Sequence, residues 1–433
     1  MSATDRDRQN LVFVFTDQQH ADMLSCAGND YLDTPVMDEL AETGTRFERA
    51  YCANPVCSPS RVSLLTGRFP SAIDQRSNED DHIDSIPDAV TNGGLGHQLR
   101  EAGYRPVYGG KEHLPADMTV ESLGFDRLTR DTRDGLAAEC AEFLRRDHDD
   151  PFCLVASFIN PHDICYMAIR DYRRVAPDFA GPQHDVAEAT LDEALERPEG
   201  IDDETFFAEH CPPLPENFEP QTDEPEAIAD RVSARPFKQH IREEWSEERW
   251  REHRWAYARL TEFVDRQIGT LVDALKESGE WEDTVFVFAS DHGDMDAAHR
   301  LEHKTVFYEE SVHVPFIVRD PRSGRTAATD DRLVSLLDVY PTLCEYAGVE
   351  APDHCAGRSV GPLVRDGESS ADWRDAVRIE SEIGEALVTE RYKYALYDFG
   401  ANREQLYDLV EDPGETRNAI DDPETGVDTD SLR

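Results

Sequence analysis

A cysteine, an arginine and the start of a helix fall together in Asn54-Pro55-Val56-Cys57-Ser58-Pro59-Ser60-Arg61-Val62-Ser63-Leu64-Leu65-Thr66-Gly67-Arg68. The run reads as a loop that turns into a helix. Ser58 can cap it, Pro59 suits the first turn, and Gly67 can close it with a left-handed residue. That places Cys57 just before a helix N-terminus, where free N–H groups and the positive end of the dipole favour an anion. Arg61, about one turn on, lies on a side that can reach back to the cysteine. The chemistry on offer is attack on an anionic ester; the competing reading is a small buried residue in ordinary core.

Four further polar clusters stand just past short apolar runs. Asn10 to Thr16 reads as a buried strand ending at Asp17-Gln18-Gln19-His20. Arg105 to Tyr108 runs into Gly109-Gly110-Lys111-Glu112-His113, Phe152 to Phe158 into Asn160-Pro161-His162-Asp163, and Thr284 to Ala289 into Ser290-Asp291-His292-Gly293-Asp294. Open α/β sheets assemble their sites beyond the C-terminal ends of strands. Asp17, Gln18, Asp291 and His292 offer hard ligands for a divalent cation, Ca²⁺ first, with Mn²⁺ and Mg²⁺ also suited.

Lysine is scarce: Lys111, Lys238, Lys276, Lys304 and Lys393 are the whole set. Lys111 and Lys304 fall in the site segments, which points to a task for their ammonium groups. Lys238, Lys276 and Lys393 are expected at the surface. Among 15 histidines, His20, His82, His97, His240 and His253 are expected to form surface hydrogen bonds. His299 and His303 are candidates for shaping a pocket or binding substrate.

The elements that must position these residues follow from periodicity. Thr34-Pro35 opens a helix that Gly44 closes, Leu95 to Glu101 is helical, and Trp250 to Glu277 is a long helix closed by Gly279. Val314 to Val318 is a further strand. Arg170 to Glu244, rich in Pro, Asp and Glu, reads as surface loops with short helices around a site entrance. Ala376 to Ser381, Ala386 to Thr389 and Lys393 to Tyr397 suit a small antiparallel sheet, and Asp421 to Arg433 a frayed end. The expected organisation is a catalytic α/β domain over residues 8–354, with 170–244 as a substrate-side insertion, and a small C-terminal subdomain over 355–433.

The 433 residues carry 91 acidic and 44 basic side chains, a net charge of -47. This argues against nucleic acid or an anionic membrane as partners. Diffuse acid with few lysines resembles proteins of salt-adapted, halophilic cells. Nine cysteines, an odd count without a CxxC pair, fit a reducing cytoplasm. Leu11-Val12-Phe13-Val14-Phe15 is too short for a signal peptide.

Cys57-Ser58-Pro59-Ser60-Arg61 followed by Leu65-Thr66-Gly67-Arg68 resembles the cysteine-type signature of the sulfatase family, in the alkaline phosphatase superfamily. Thr16-Asp17-Gln18-Gln19 and Ser290-Asp291-His292-Gly293 look like that family's metal-binding segments. Gly110-Lys111-Glu112-His113, Asn160-Pro161-His162 and His299-Arg300-Leu301-Glu302-His303-Lys304 look like its substrate segments, and Glu404 to Glu415 like its C-terminal strands. The resemblance implies a central mixed sheet flanked by helices, with a small C-terminal antiparallel-sheet subdomain. It implies that a maturation enzyme oxidises Cys57 to formylglycine, and that Asp17, Gln18, Cys57, Asp291 and His292 hold the metal. Arg61 then helps to ionise the aldehyde hydrate, Lys111 and Lys304 bind a sulfate ester of a small molecule or carbohydrate, His162 protonates the leaving alcohol, and His113 takes the proton that lets sulfate depart. Two departures stand out: Gln18 where two successive aspartates are common, and Glu112, expected to point away, where an aromatic is common. A phosphodiester or phosphonate monoester hydrolase with the same nucleophile is the first alternative. Gln18 favours it and the Lys111–His113 pair opposes it. A non-catalytic binding protein with unmodified Cys57 is the second.

Overall fold

The computed structural model describes residues 8–79, 86–367 and 373–427; His82 and the last six residues lie outside them. An eight-stranded mixed sheet forms the centre. In chain order its strands are β1 (Asn10–Asp17), β2 (Thr45–Phe47), β4 (Arg105–Gly110), β5 (Asp126–Thr129), β6 (Phe152–Pro161), β7 (Thr284–Ser290), β8 (Phe316–Arg319) and β9 (Ala328–Asp330). The spatial order is β5-β4-β6-β1-β7-β8-β2-β9. The block from β5 to β7 is parallel, and β8 runs antiparallel to both β7 and β2. Two short strands, β3 (Ala50–Tyr51) and β10 (Val334–Ser335), pair beside it.

Every residue of β1 is buried, as a central strand covered on both faces requires. Leu11, Phe13 and Phe15 join a core that includes Val62 and Leu65 of the helix Cys57–Thr66. Val12 and Val14 face the opposite core, with Leu136 of the helix Asp134–Leu144 and Ile268 of the helix Glu247–Ser278. That last helix is capped by Ser246, whose Oγ accepts from Arg249 N–H, and ends at left-handed Gly279. It is the long helix expected from the three- and four-residue apolar spacing.

The stretch 170–244 is more helical than its composition suggests. It includes the helices Asp185–Ala194, Glu226–Ser233 and Pro236–Glu244. Phe237 and Ile241 of the last pack with Phe218 and Trp250, so apolar residues spaced four apart anchor this acidic region to the body. The C-terminal sheet has four antiparallel strands: β11 (Ala376–Ser381), β12 (Gly384–Thr389), β13 (Tyr392–Tyr397) and β14 (Glu404–Asp408). Residues 421–427, expected to fray, include a short 3-10 turn at Pro423–Thr425, preceded by the Arg417–Asp422 ion pair. All nine cysteines are unpaired. No described helix is long and apolar enough to cross a membrane.

Candidate active site

The C-terminal ends of β1, β4, β6 and β7 bring Asp17, Lys111, His162 and Asp291 to one rim of the sheet. At the end of β4, Gly110 has φ +99°, and a Cβ there would sit 2.1 Å from the Ser157 carbonyl oxygen, so only glycine lets the chain turn toward Lys111. The helix Cys57–Thr66 meets this rim from the side and is buried along its whole length. Cys57 is its first residue rather than the one before it. The expected Ser58 cap does not form: Ser58 N–H donates instead to Asn78 Oδ1, at 3.0 Å. Gly67 closes the helix in the left-handed region, as expected.

Cys57 Sγ lies 3.0 Å from Lys304 Nζ, 3.3 Å from His292 Nε2, 3.6 Å from Asp17 Oδ1 and 3.8 Å from Lys111 Nζ. His113 and His162 stand near enough to favour its charged form. Burial alone would raise the thiol's pKa, but Lys111, Lys304 and His292 together hold it well below its ordinary value. A second-row atom ringed by two ammonium groups and three imidazoles occupies a place built for negative charge.

Arg61 does not reach back to the cysteine. Its guanidinium, fully buried, donates to Asp17 Oδ2 at 2.8 Å and Asp291 Oδ2 at 2.9 Å, and to Ser157 Oγ and the Lys111 carbonyl oxygen at 2.6 and 2.7 Å. It ties four neighbouring strands together and neutralises one oxygen of each carboxylate. Burial and Cys57 would raise the Asp17 pKa, but Lys111, His162 and Lys304 prevail and hold it far below the usual range. Burial, followed by Asp17, pushes Asp291 up to about 6.

The donor set suits a divalent cation. One ligand atom each from Asp17, Cys57, Asp291 and His292 lies within 4.8 Å of the others. His292 Nδ1 is 2.9 Å from the Gly293 carbonyl oxygen, which fixes the proton on that nitrogen and leaves the Nε2 lone pair facing the carboxylates. Gln18 has a pinned amide: Nε2 donates to Asp294 Oδ2 at 2.6 Å, so Oε1 faces Lys304 Nζ at 2.7 Å. Its backbone is left-handed, φ 73°, and its carbonyl oxygen accepts from Tyr257 of the long helix at 2.6 Å.

Beside Cys57 opens a cavity of about 340 Å³, lined among others by His162, Tyr166, Phe237, His303 and Lys304. His162 and Lys304 thus border both the sulfur and the cavity. Glu112 points away, as expected, to Arg127 and Arg130. Several expectations fail. Lys238 lines the cavity instead of the outer surface. Lys393 is wholly buried between Glu309 and Glu415, at 2.8 and 2.6 Å. His20 and His253 are buried beside Asp296, while His97 and His240 are half-buried. Of the two intermediate histidines, His303 lines the cavity, whereas His299 stacks on Tyr308 with ring centres 4.0 Å apart. Asp294, in the same segment as Asp291, holds the Gln18 amide, a task that its position three residues further on does not announce.

Comparison with known proteins identifies the family. The family model for sulfatases matches residues 9–349, and one described as the N-sulphoglucosamine sulphohydrolase C-terminal region matches 297–432. A Δ4,5-hexuronate-2-O-sulfatase of Bacteroides thetaiotaomicron is 27% identical, over 98% of this chain and 86% of its own. A choline-sulfatase of Rhizobium meliloti is 26% identical, over 98% and 85%. A solved 2-O GAG sulfatase superposes with a TM-score of 0.80 at 29% identity, covering 97% of this chain and 89% of that one. A phosphonate monoester hydrolase of Agrobacterium radiobacter, at 22% identity and a TM-score of 0.71, shares the fold. The chain belongs to the sulfatase family of the alkaline phosphatase superfamily, and it is a sulfuric ester hydrolase.

Proposed function

We propose that the protein removes sulfate from a sulfated carbohydrate, using formylglycine made from Cys57 by a maturation enzyme. The observation that carries the reading is the ring of Lys111, Lys304, His113, His162 and His292 around one buried sulfur next to a cavity. The relatives whose names specify hexuronate and N-acetylglucosamine sulfates support the carbohydrate. Asp17, Asp291 and His292, with Gln18 Oε1 and the Cys57-derived group, would hold a divalent cation, Ca²⁺ by the hardness of most of the set, with Mn²⁺ or Mg²⁺ as the alternatives. When present, the cation supplies Lewis-acid stabilisation of negative charge, and the aldehyde hydrate supplies one hydroxyl to attack sulfur and a second whose proton must leave before sulfate does.

The chain's own groups do the rest. Lys304 and Lys111 flank the reacting position and offer N–H donors to sulfuryl oxygens as charge develops there. Arg61, saturated by Asp17 and Asp291, holds those carboxylates in place. His162 borders the cavity that the alcohol must occupy, which fits it to protonate the leaving oxygen. Burial, and after it Lys111, lowers its pKa, while Asp17 and the sulfur oppose them. An anionic sulfate beside it opposes that lowering and favours the protonated form. His113 stands near the sulfur and is not among the residues lining the cavity, which fits it to accept the second hydroxyl's proton.

Two measurements on protein produced with a maturation enzyme test this. Mass analysis of the Cys57 peptide should find the aldehyde; an intact thiol in fully active enzyme would overturn the nucleophile. An aryl sulfate should be hydrolysed much faster than an aryl phosphodiester, and the reverse order would favour the phosphoester reading.

A further inference from the structure

Among the described residues, the cavity beside Cys57 holds one cation that its own carboxylates leave unanswered. Arg231 pairs with Glu382, and Arg235 with Glu79 at 3.3 Å, all four on the cavity wall. Lys304 is turned inward to Cys57 and Gln18, with Asp17 at 3.9 Å. His303 Nε2 lies 2.5 Å from Glu302, the carboxylate of a smaller cavity behind. Lys238 remains. It projects from the helix Pro236–Glu244 and lines both cavities. Among the described residues, no carboxylate lies within ion-pair distance of its ammonium.

That isolation is notable in a chain with 91 acidic residues, where an exposed ammonium readily finds a carboxylate. Instead, Lys238 feels two like charges, Arg231 and Lys304. Burial, the larger cause, and these cations bring its pKa down to about 8, while Cys165 and Asp294 oppose them. An ammonium partly withdrawn from water without a partner is destabilised, and an anion brought by a ligand removes that penalty. The cavity has the volume of a small-molecule site. A neutral alcohol would fill it and leave the charge bare.

Resting on the sulfatase reading, we propose that Lys238 binds a second anionic group on the alcohol part of the substrate, a carboxylate or a second sulfate. Lys111 and Lys304 meanwhile hold the sulfate to be cleaved. Specificity for dianionic over monoanionic esters then comes from a residue that takes no part in the bond-breaking step.

The test is calorimetric, with a Cys57→Ala protein that binds without turnover. Its ligands are a hexose monosulfate, which carries one negative charge, and a hexuronate monosulfate and a hexose disulfate, which carry two. One or both of the doubly charged ligands should bind about tenfold or more tightly than the singly charged hexose monosulfate, the scale of one charge-assisted contact. Whichever gains identifies the second group. Adding Lys238→Met should shrink the gap to about twofold, and Lys238→Arg should retain most of it. Equal binding of all three ligands, or a Lys238→Met loss of the same factor for each, overturns the assignment but leaves the sulfatase reading intact. Failure of every sulfate ester to bind overturns both.

Discussion

Replacing Arg61 by methionine tests what holds the site together. The change keeps an unbranched side chain of similar reach but removes a guanidinium with no exposed surface. That group donates to Asp17, Asp291, Ser157 and the Lys111 carbonyl. Two buried carboxylates then lose a shared counter-charge, and breaking a buried pair in this way costs about 3–5 kcal/mol. An unfolding entropy of about 2.1 cal/mol/K per residue, over 433 residues, gives about 0.9 kcal/mol/K. The expected fall in Tm is therefore about 3–6 °C, measured by calorimetry in the presence of a chelator. The pH dependence has a definite sign. Burial and Asp17 already push Asp291 up to about 6 with Arg61 in place. A carboxyl whose folded pKa is raised favours the folded state at low pH and loses that contribution as pH rises through its folded value. The deficit of Arg61→Met should therefore be larger at about pH 7.5 than at about pH 5, where a proton replaces the lost charge. Excess Ca²⁺ should restore more Tm to the variant than it adds to the parent, because a cation between Asp17 and Asp291 answers the same charge. A variant that melts within about 1 °C of the parent at both pH values would refute the reasoning.

Other substitutions separate chemistry from stability. Cys57→Ala should abolish turnover of an aryl sulfate and leave the circular dichroism and Tm essentially unchanged; retained activity would be fatal to the nucleophile. Lys304→Ala should lower kcat/KM by about 100-fold or more, the scale of losing one charge-stabilising donor, with a smaller loss of Tm than Arg61→Met. A larger Tm loss than that variant's would mark Lys304 as structural. Glu415→Gln tests the buried trio at the C-terminal sheet. Burial pushes Glu415 up to about 8 against the opposing pull of Lys393, while for Glu309 the pull of Lys393 and His313 outweighs burial and its pKa is lowered. The folded state thus keeps a proton that the unfolded chain releases, and stability should decline between about pH 5 and pH 8. In Glu415→Gln that part of the decline should vanish in thermal melts; an unchanged slope would show that Glu415 is ionised in the fold.

The strand ends were legible because a strand buried on both faces is written as an unbroken apolar run, and the first polar residue after it marks the rim. That rule found Asp17, Lys111, His162 and Asp291. Their partners were not legible: the contacts of Arg61 come from residues 44 and 230 positions away, a distance that no local pattern encodes. His253 is a different case. It stands between Trp250 and Tyr257 on the apolar stripe of the long helix, so the spacing that identified the helix also buried the histidine. The lysines make the same point more strongly. Scarcity together with local sequence singles out Lys111 and Lys304, because the surroundings of the other three look ordinary. Yet Lys393 sits between Glu309 and Glu415, Lys238 faces the cavity, and only Lys276 is an exposed surface residue, paired with Glu39. The division has a physical basis. Apart from Lys276–Glu39, this chain makes its surface ion pairs with arginine, whose planar fork suits exposed carboxylates, and a compact ammonium fits a confined place. In such a composition the rarity of lysine is itself positional information, and it outweighs the local sequence around each one.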